Sequence, residues 1–132
     1  METNLQKALA TVAPSISIQT IWTEDESPDN SIFSKGWGLY GEDPDDWACW
    51  ESAIEATIIH NGEMVTGSAY MGGTWEKYGN NPTKTNPDIS GYEPQMVEEA
   101  LEELKALFGV PPKEIETALS FLNSYSESEI AA

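Results

Sequence analysis

Asn61-Gly62 lies between two runs of alternating apolar residues, and this pair constrains the fold more than any other feature of the chain. Both residues tolerate the positive φ of a two-residue type I′ turn, which makes them a strong short-range hairpin signal. A hairpin about them places Ile58 against Val65, Ala56 against Gly67 and Ile54 against Ala69, all on one face. The other face then carries Glu51, Glu55, Thr57, Thr66 and Tyr70. Such alternation is expected of a half-buried antiparallel pair. The turn also resolves segment 47–60. Trp47, Trp50, Ile54 and Ile58 suit a helix, whereas Trp50, Ile54, Ala56 and Ile58 suit a strand; the hairpin selects the strand.

The flanking segments read from the same periodicities. Residues 2–13 place Leu5, Ala8, Leu9 and Val12 at helical spacing, with Thr3, Asn4, Gln6 and Lys7 on the polar side, which predicts a short helix ending before Pro14. Ser15 to Thr23 is rich in β-branched residues and reads as a strand with Ile16, Ile18, Thr20 and Trp22 on one face. Residues 31–40 read as a short, glycine-weakened strand between two acidic turns. Gly72-Gly73 ends the second hairpin strand, and 74–93 is expected to be a long loop that exposes Trp75 and Tyr78. Pro94 opens a helix with Val97, Ala100, Leu101, Leu104, Leu107 and Phe108 as its apolar stripe and Gly109 as its stop. Pro111-Pro112 starts a last helix with Ile115, Ala118, Leu119 and Leu122 inward, fraying from Ser124. The five tryptophans are expected to supply a generous core. The expectation is a single α+β domain over residues 1–132. It has a small antiparallel sheet of three to four strands, with an N-terminal helix and two C-terminal helices on one face.

Function has to be read chiefly from charge. The 132 residues hold 23 acids against six lysines and no arginine, a formal charge of −17. At 39% hydrophobic and 10% aromatic, the chain is too apolar for an acidic disordered segment. A folded body so charged repels itself, so the acid is expected to serve binding rather than stability. It gathers at Glu24, Asp25, Glu26 and Asp29; at Glu42, Asp43, Asp45 and Asp46; at Glu51 and Glu55 on the hairpin; and at Glu98, Glu99, Glu102 and Glu103 on the outer face of the penultimate helix. The pairs 98/102 and 99/103 are like charges at i,i+4, each unfavourable by about 0.2–0.5 kcal/mol. Four carboxylates over five helical rises give about one charge per 2 Å, close to the one per about 1.7 Å of duplex DNA.

Other chemistries find little support. Cys49 is the only cysteine, which excludes an intramolecular disulfide and a cysteine-based zinc site. Its acidic neighbours disfavour a thiolate. His60 is the only histidine and directly precedes the turn. A calcium loop begun at Asp25 meets Asn30 and Gly36 where glycine and glutamate are required, and one begun at Asp43 meets Ala48 and Ile54. Paired carboxylates of the glycosidase kind arise by chance among so many acids. Gly36-x-Gly38-x-x-Gly41 is followed by acidic turn formers rather than a helix start, so a phosphate there would meet repulsion. No catalytic residue, metal or cofactor is assigned. Met1 to Pro14 lacks the basic and apolar regions of a signal peptide, and no segment approaches the roughly 20 apolar residues of a membrane span. A soluble cytoplasmic protein is expected, a monomer or homodimer, repelled by nucleic acid and anionic lipid and drawn to basic partners.

In size, charge, arginine depletion and acids spread over a folded body, the chain resembles the small acidic DNA mimics that phages and mobile elements direct against host defences, the anti-CRISPR and anti-restriction proteins. The resemblance is of class, without a shared motif. It implies a non-enzymatic inhibitor that occupies the basic DNA- or guide-binding surface of a nuclease complex in the host cytoplasm. The rival expectation is a cytosolic adaptor or immunity-type module that recognises one basic protein, anchored by Trp75 and Tyr78.

Overall fold

The structure, a computed structural model, describes residues 3–77 and 92–131. It is α+β, as the periodicities predict. Helix α1 (Asn4–Val12) is followed by strands β1 (Ile16–Glu24), β2 (Trp47–His60) and β3 (Glu63–Lys77), then by helices α2 (Glu93–Ala106) and α3 (Lys113–Ala131). The strands form one antiparallel sheet in the order β1-β2-β3. All three helices lie on one of its faces: α1 packs on β1, α2 packs on β2 and β3, and α3 joins α1 to α2.

The hairpin register is the predicted one, with Ile58 opposite Val65, Ala56 opposite Gly67 and Ile54 opposite Ala69. Asn61 and Gly62 hold φ of 52° and 81°, the left-handed values of the primed turn. On β1 the partners run from Ile16 against Ile58 to Glu24 against Trp50. Burial alternates along β1 and β2 accordingly, and Ile16, Ile54, Ala56, Ile58 and Ala69 meet Leu5, Leu9, Val97, Leu101, Leu104, Ile115 and Leu122 in one core.

Five sequence expectations are corrected. First, Gly72-Gly73 does not end the hairpin. Trp50 pairs with Thr74 and Ser52 with Met71, so Glu51 alone faces two residues of β3, a β-bulge at the glycine pair. The strand resumes beyond it and carries Trp75, which is half-buried rather than exposed in a loop. Second, residues 31–40 form no strand. A 3₁₀ turn at Asn30–Phe33 and left-handed glycines at Gly36 (φ 95°) and Gly41 (φ 92°) coil the segment. Third, α2 stops at Ala106, which leaves Leu107 56% exposed and only Phe108 turned inward, edge-to-face on His60 at 5.1 Å.

Fourth, Gln6 is buried instead of facing solvent. Its Oε1 accepts from the Thr3 N–H at 3.0 Å, completing a capping box, and its Nε2 donates to Thr20 Oγ1 at 2.8 Å. Fifth, no tryptophan among the described side chains is fully buried, and the core is aliphatic. Trp22 packs half-buried against it, and Trp37 is exposed. At α3, the inward residues Ile115, Ala118, Leu119 and Leu122 are those expected, and the helix extends past Ser124 to Ala131.

Gly67 governs how closely the layers meet. A Cβ there would run into the backbone of Ala100 and Leu104, so α2 lies directly on β3 at this point.

Candidate acidic interface

Antiparallel pairing brings the end of β1, the start of β2 and the end of β3 to one end of the sheet. The segment 25–46 is therefore a closed excursion at that end. It collects Asp25, Glu26, Asp29, Glu42, Asp43, Asp45 and Asp46, beside Glu24 on the last residue of β1. Local carboxylate–amide bonds shape it. Asp25 accepts from the Ser27 N–H, Asp29 from Ser31 and Asp43 from Asp45, each at 3.0 Å. Aspartate competes well for neighbouring amides in this way, so part of the acid here also builds turns.

The excursion is fastened to the sheet at its start by a backbone bond and further along by a ring contact. The Asp25 N–H donates to the Cys49 carbonyl at 2.9 Å. The Leu39 N–H donates to the Ile32 carbonyl at 3.1 Å and closes the coil on itself. Phe33 stands edge-to-face on Trp75, with centroids 5.0 Å apart at 86°. Trp75 is the ladder partner of Cys49, which is buried. Pleat alternation puts this aromatic plug on the sheet face opposite the helices.

The second acidic array is on α2. Glu98, Glu99, Glu102 and Glu103 are all exposed, on the side away from the core stripe Val97, Ala100, Leu101 and Leu104. Two of them have structural partners: Gln95 Nε2 donates to Glu99 at 3.4 Å, and the Ser68 N–H of β3 donates to Glu103 at 3.3 Å. Lys105 bridges to Glu116 of α3 at 2.9 Å, the one ion pair among the described residues. The hydrogen bond and attraction of Glu116 raise the Lys105 pKa above its ordinary value. Lys77 sits over the Trp47 ring, 5.6 Å from its centroid.

Glu51 and Glu55 face outward on β2, on the sheet face that α2 does not cover. The four expected gatherings of acid therefore become three groups, since both turn clusters fall in the sheet-end excursion, with the outer side of α2 and the open sheet face as the others. Trp75, expected as an anchor, is taken up by Phe33, and Tyr78 lies outside the described residues. Trp37 and Tyr40, 61% and 63% exposed within the acidic excursion, are aromatics that sequence reasoning missed, whereas Tyr70 is exposed on the open face where the hairpin pattern placed it. The signal for Trp37 was available, since Gly36-Trp37-Gly38 places an indole between residues with no side chain to pack on it.

Among the described residues no group of three or more His, Cys, Asp or Glu is arranged to hold a metal ion, and no helix is long and apolar enough to cross a membrane. The chain matches no protein-family model, and no curated protein or solved structure proved similar to it.

Proposed function

We propose that the protein is a non-enzymatic acidic binding protein of the cytoplasm that blocks the basic nucleic-acid-binding surface of a host defence nuclease complex, in the manner of a DNA mimic. The supporting observation is the distribution of charge. Exposed carboxylates lie on α2 and on a fastened excursion, and a single ion pair offsets them among the described residues. A positive groove attracts and orients such a surface before contact, and the attraction weakens as salt screens it.

The test is a low-salt pull-down from host lysate with mass spectrometry, then competition with duplex DNA. A nucleic-acid-binding protein should be retained, displaced by DNA, and bound more weakly as salt rises. Retention of no such protein would refute the reading. Glu98→Gln, Glu99→Gln and Glu102→Gln together should weaken the complex at least tenfold; unchanged affinity would move the contact to the excursion.

Trp37 and Tyr40 favour a second reading, an adaptor anchored on a basic protein by cation–π contact. In that case Trp37→Ala costs more affinity than the triple glutamine variant, and DNA does not compete.

A further inference from the structure

The two edges of the sheet are treated differently by the sequence. The edge of β3 is guarded: Glu103 takes its outward Ser68 amide, the Gly72-Gly73 bulge interrupts it, and Glu63, Glu76 and Lys77 charge it. Natural sheets use such devices to prevent edge pairing. The edge of β1 has none of them. No charged residue occurs between Lys7 and Glu24, and Ile16–Glu24 contains neither proline nor bulge. In a chain of net charge −17, this is a nine-residue edge with one charge, at its end.

Ladder parity shows which groups this edge offers. The Asn61-Gly62 turn makes His60 and Glu63 a hydrogen-bonded pair, and alternation then sets the remainder. Observed bonds agree with that parity: Ser68 turns its N–H away from β2, Ile16 gives its own to Ala13, and Asp25 donates back to Cys49. Ile18, Thr20 and Trp22 thus direct both N–H and C=O away from β2, and among the described residues no backbone group meets them.

From this we infer that β1 is a self-association edge, and that its occupant is the β1 strand of a second copy, antiparallel about a two-fold axis at Thr20. In this register Ile18 exchanges both backbone bonds with Trp22 of the other copy, and Thr20 with its own counterpart. On the helix-covered side Ile18 meets Trp22, an aliphatic–aromatic cross-strand pair. On the open side Gln19 meets Ile21 and Ser17 meets Thr23, with no like charges opposed. Glu24 falls against Ile16. The two sheets become one of six strands, joined where the protein carries least charge.

This inference does not rest on the proposed partner, and salt separates the two. Two bodies of −17 repel at low ionic strength, so self-association strengthens as salt shortens the screening length from about 10 Å at 0.1 M to about 3 Å at 1 M. Binding to a basic partner weakens over the same range. The experiment is sedimentation equilibrium of the full chain over a concentration series in low and high salt, with amide hydrogen exchange under the same conditions. The mass should double in high salt, and exchange at Ile18, Thr20 and Trp22 should slow with concentration, while Gln19 and Ile21 are slow throughout. Gln19→Glu with Ile21→Glu, both exposed positions, should keep the fold and abolish the doubling. Gln19→Lys with Ile21→Glu sets opposite charges across the same pair and should restore it. A monomer at every concentration in high salt overturns the inference. So does a dimer whose Ile18, Thr20 and Trp22 amides exchange as fast as in the monomer, or one indifferent to the double glutamate variant.

Discussion

At Gly67 a single hydrogen in place of a methyl group decides the distance between the helix layer and the sheet. The backbone of Ala100 and Leu104 occupies the space a Cβ would need, and backbone yields less readily than a side-chain tip. Gly67→Ala should therefore destabilise by about 1–3 kcal/mol, the range of overpacked cores. Gly109→Ala, with open space around it, should be close to neutral. Urea midpoints of the two variants give the comparison directly. Gln6 makes a related point from the polar side, since it both caps α1 and holds Thr20. Gln6→Ala should cost about 1–2 kcal/mol by chemical denaturation. Neither role was legible in sequence. A glycine in a strand reads as a weak point and a glutamine beside a lysine reads as solvated surface, because both functions depend on what another element brings to the site.

Among the elements, the hairpin was legible to the residue, because the turn chemistry and the two-residue period specify the same register. The extension of β3 was not. Gly72-Gly73 carries no side chain whose spacing reveals strand continuation, so a bulge and a strand end look alike. The acidic side of α2 was read correctly as exposed, whereas the bond from Ser68 to Glu103 needs the register of β3 to be seen. On α2, Glu98 and Glu102 oppose each other at i,i+4, so neutralising both as glutamine should stabilise the fold by about 0.2–0.5 kcal/mol. A rise in melting temperature alongside weaker partner binding would show that these acids act in binding at the expense of stability. The Lys105–Glu116 bridge couples α2 to α3 with a definite pH dependence. Since pairing raises the lysine pKa, its contribution is complete below the unfolded value of about 10.4 and is lost as pH climbs through the higher folded value. Glu116→Gln should remove that alkaline loss from a stability–pH profile, by lowering stability at neutral pH while leaving it unchanged above the folded lysine pKa.

For the whole molecule, net charge sets the response to solution conditions. Self-repulsion of a −17 body is screened by salt, so the melting temperature should rise between low and moderate sodium chloride. A flat profile in scanning calorimetry would mean that the carboxylates are too far apart, or too well bound to local amides, to oppose folding. The bulge opposite Glu51 bears on the molecule as a whole in another respect. It works as a phase shift in the pleat. Below it β3 keeps one parity with the core, and above it the opposite parity sends Trp75 to the side where Phe33 can fasten the excursion. Deleting one glycine of the pair would restore regular pairing with Trp75 still opposite Cys49, whereas deleting both would set Thr74 against Glu51 and Trp75 against Trp50. Trp75 would then turn under the helices, Glu76 would turn outward, and the segment that carries seven of the acids would lose its fastening while the core below remained intact.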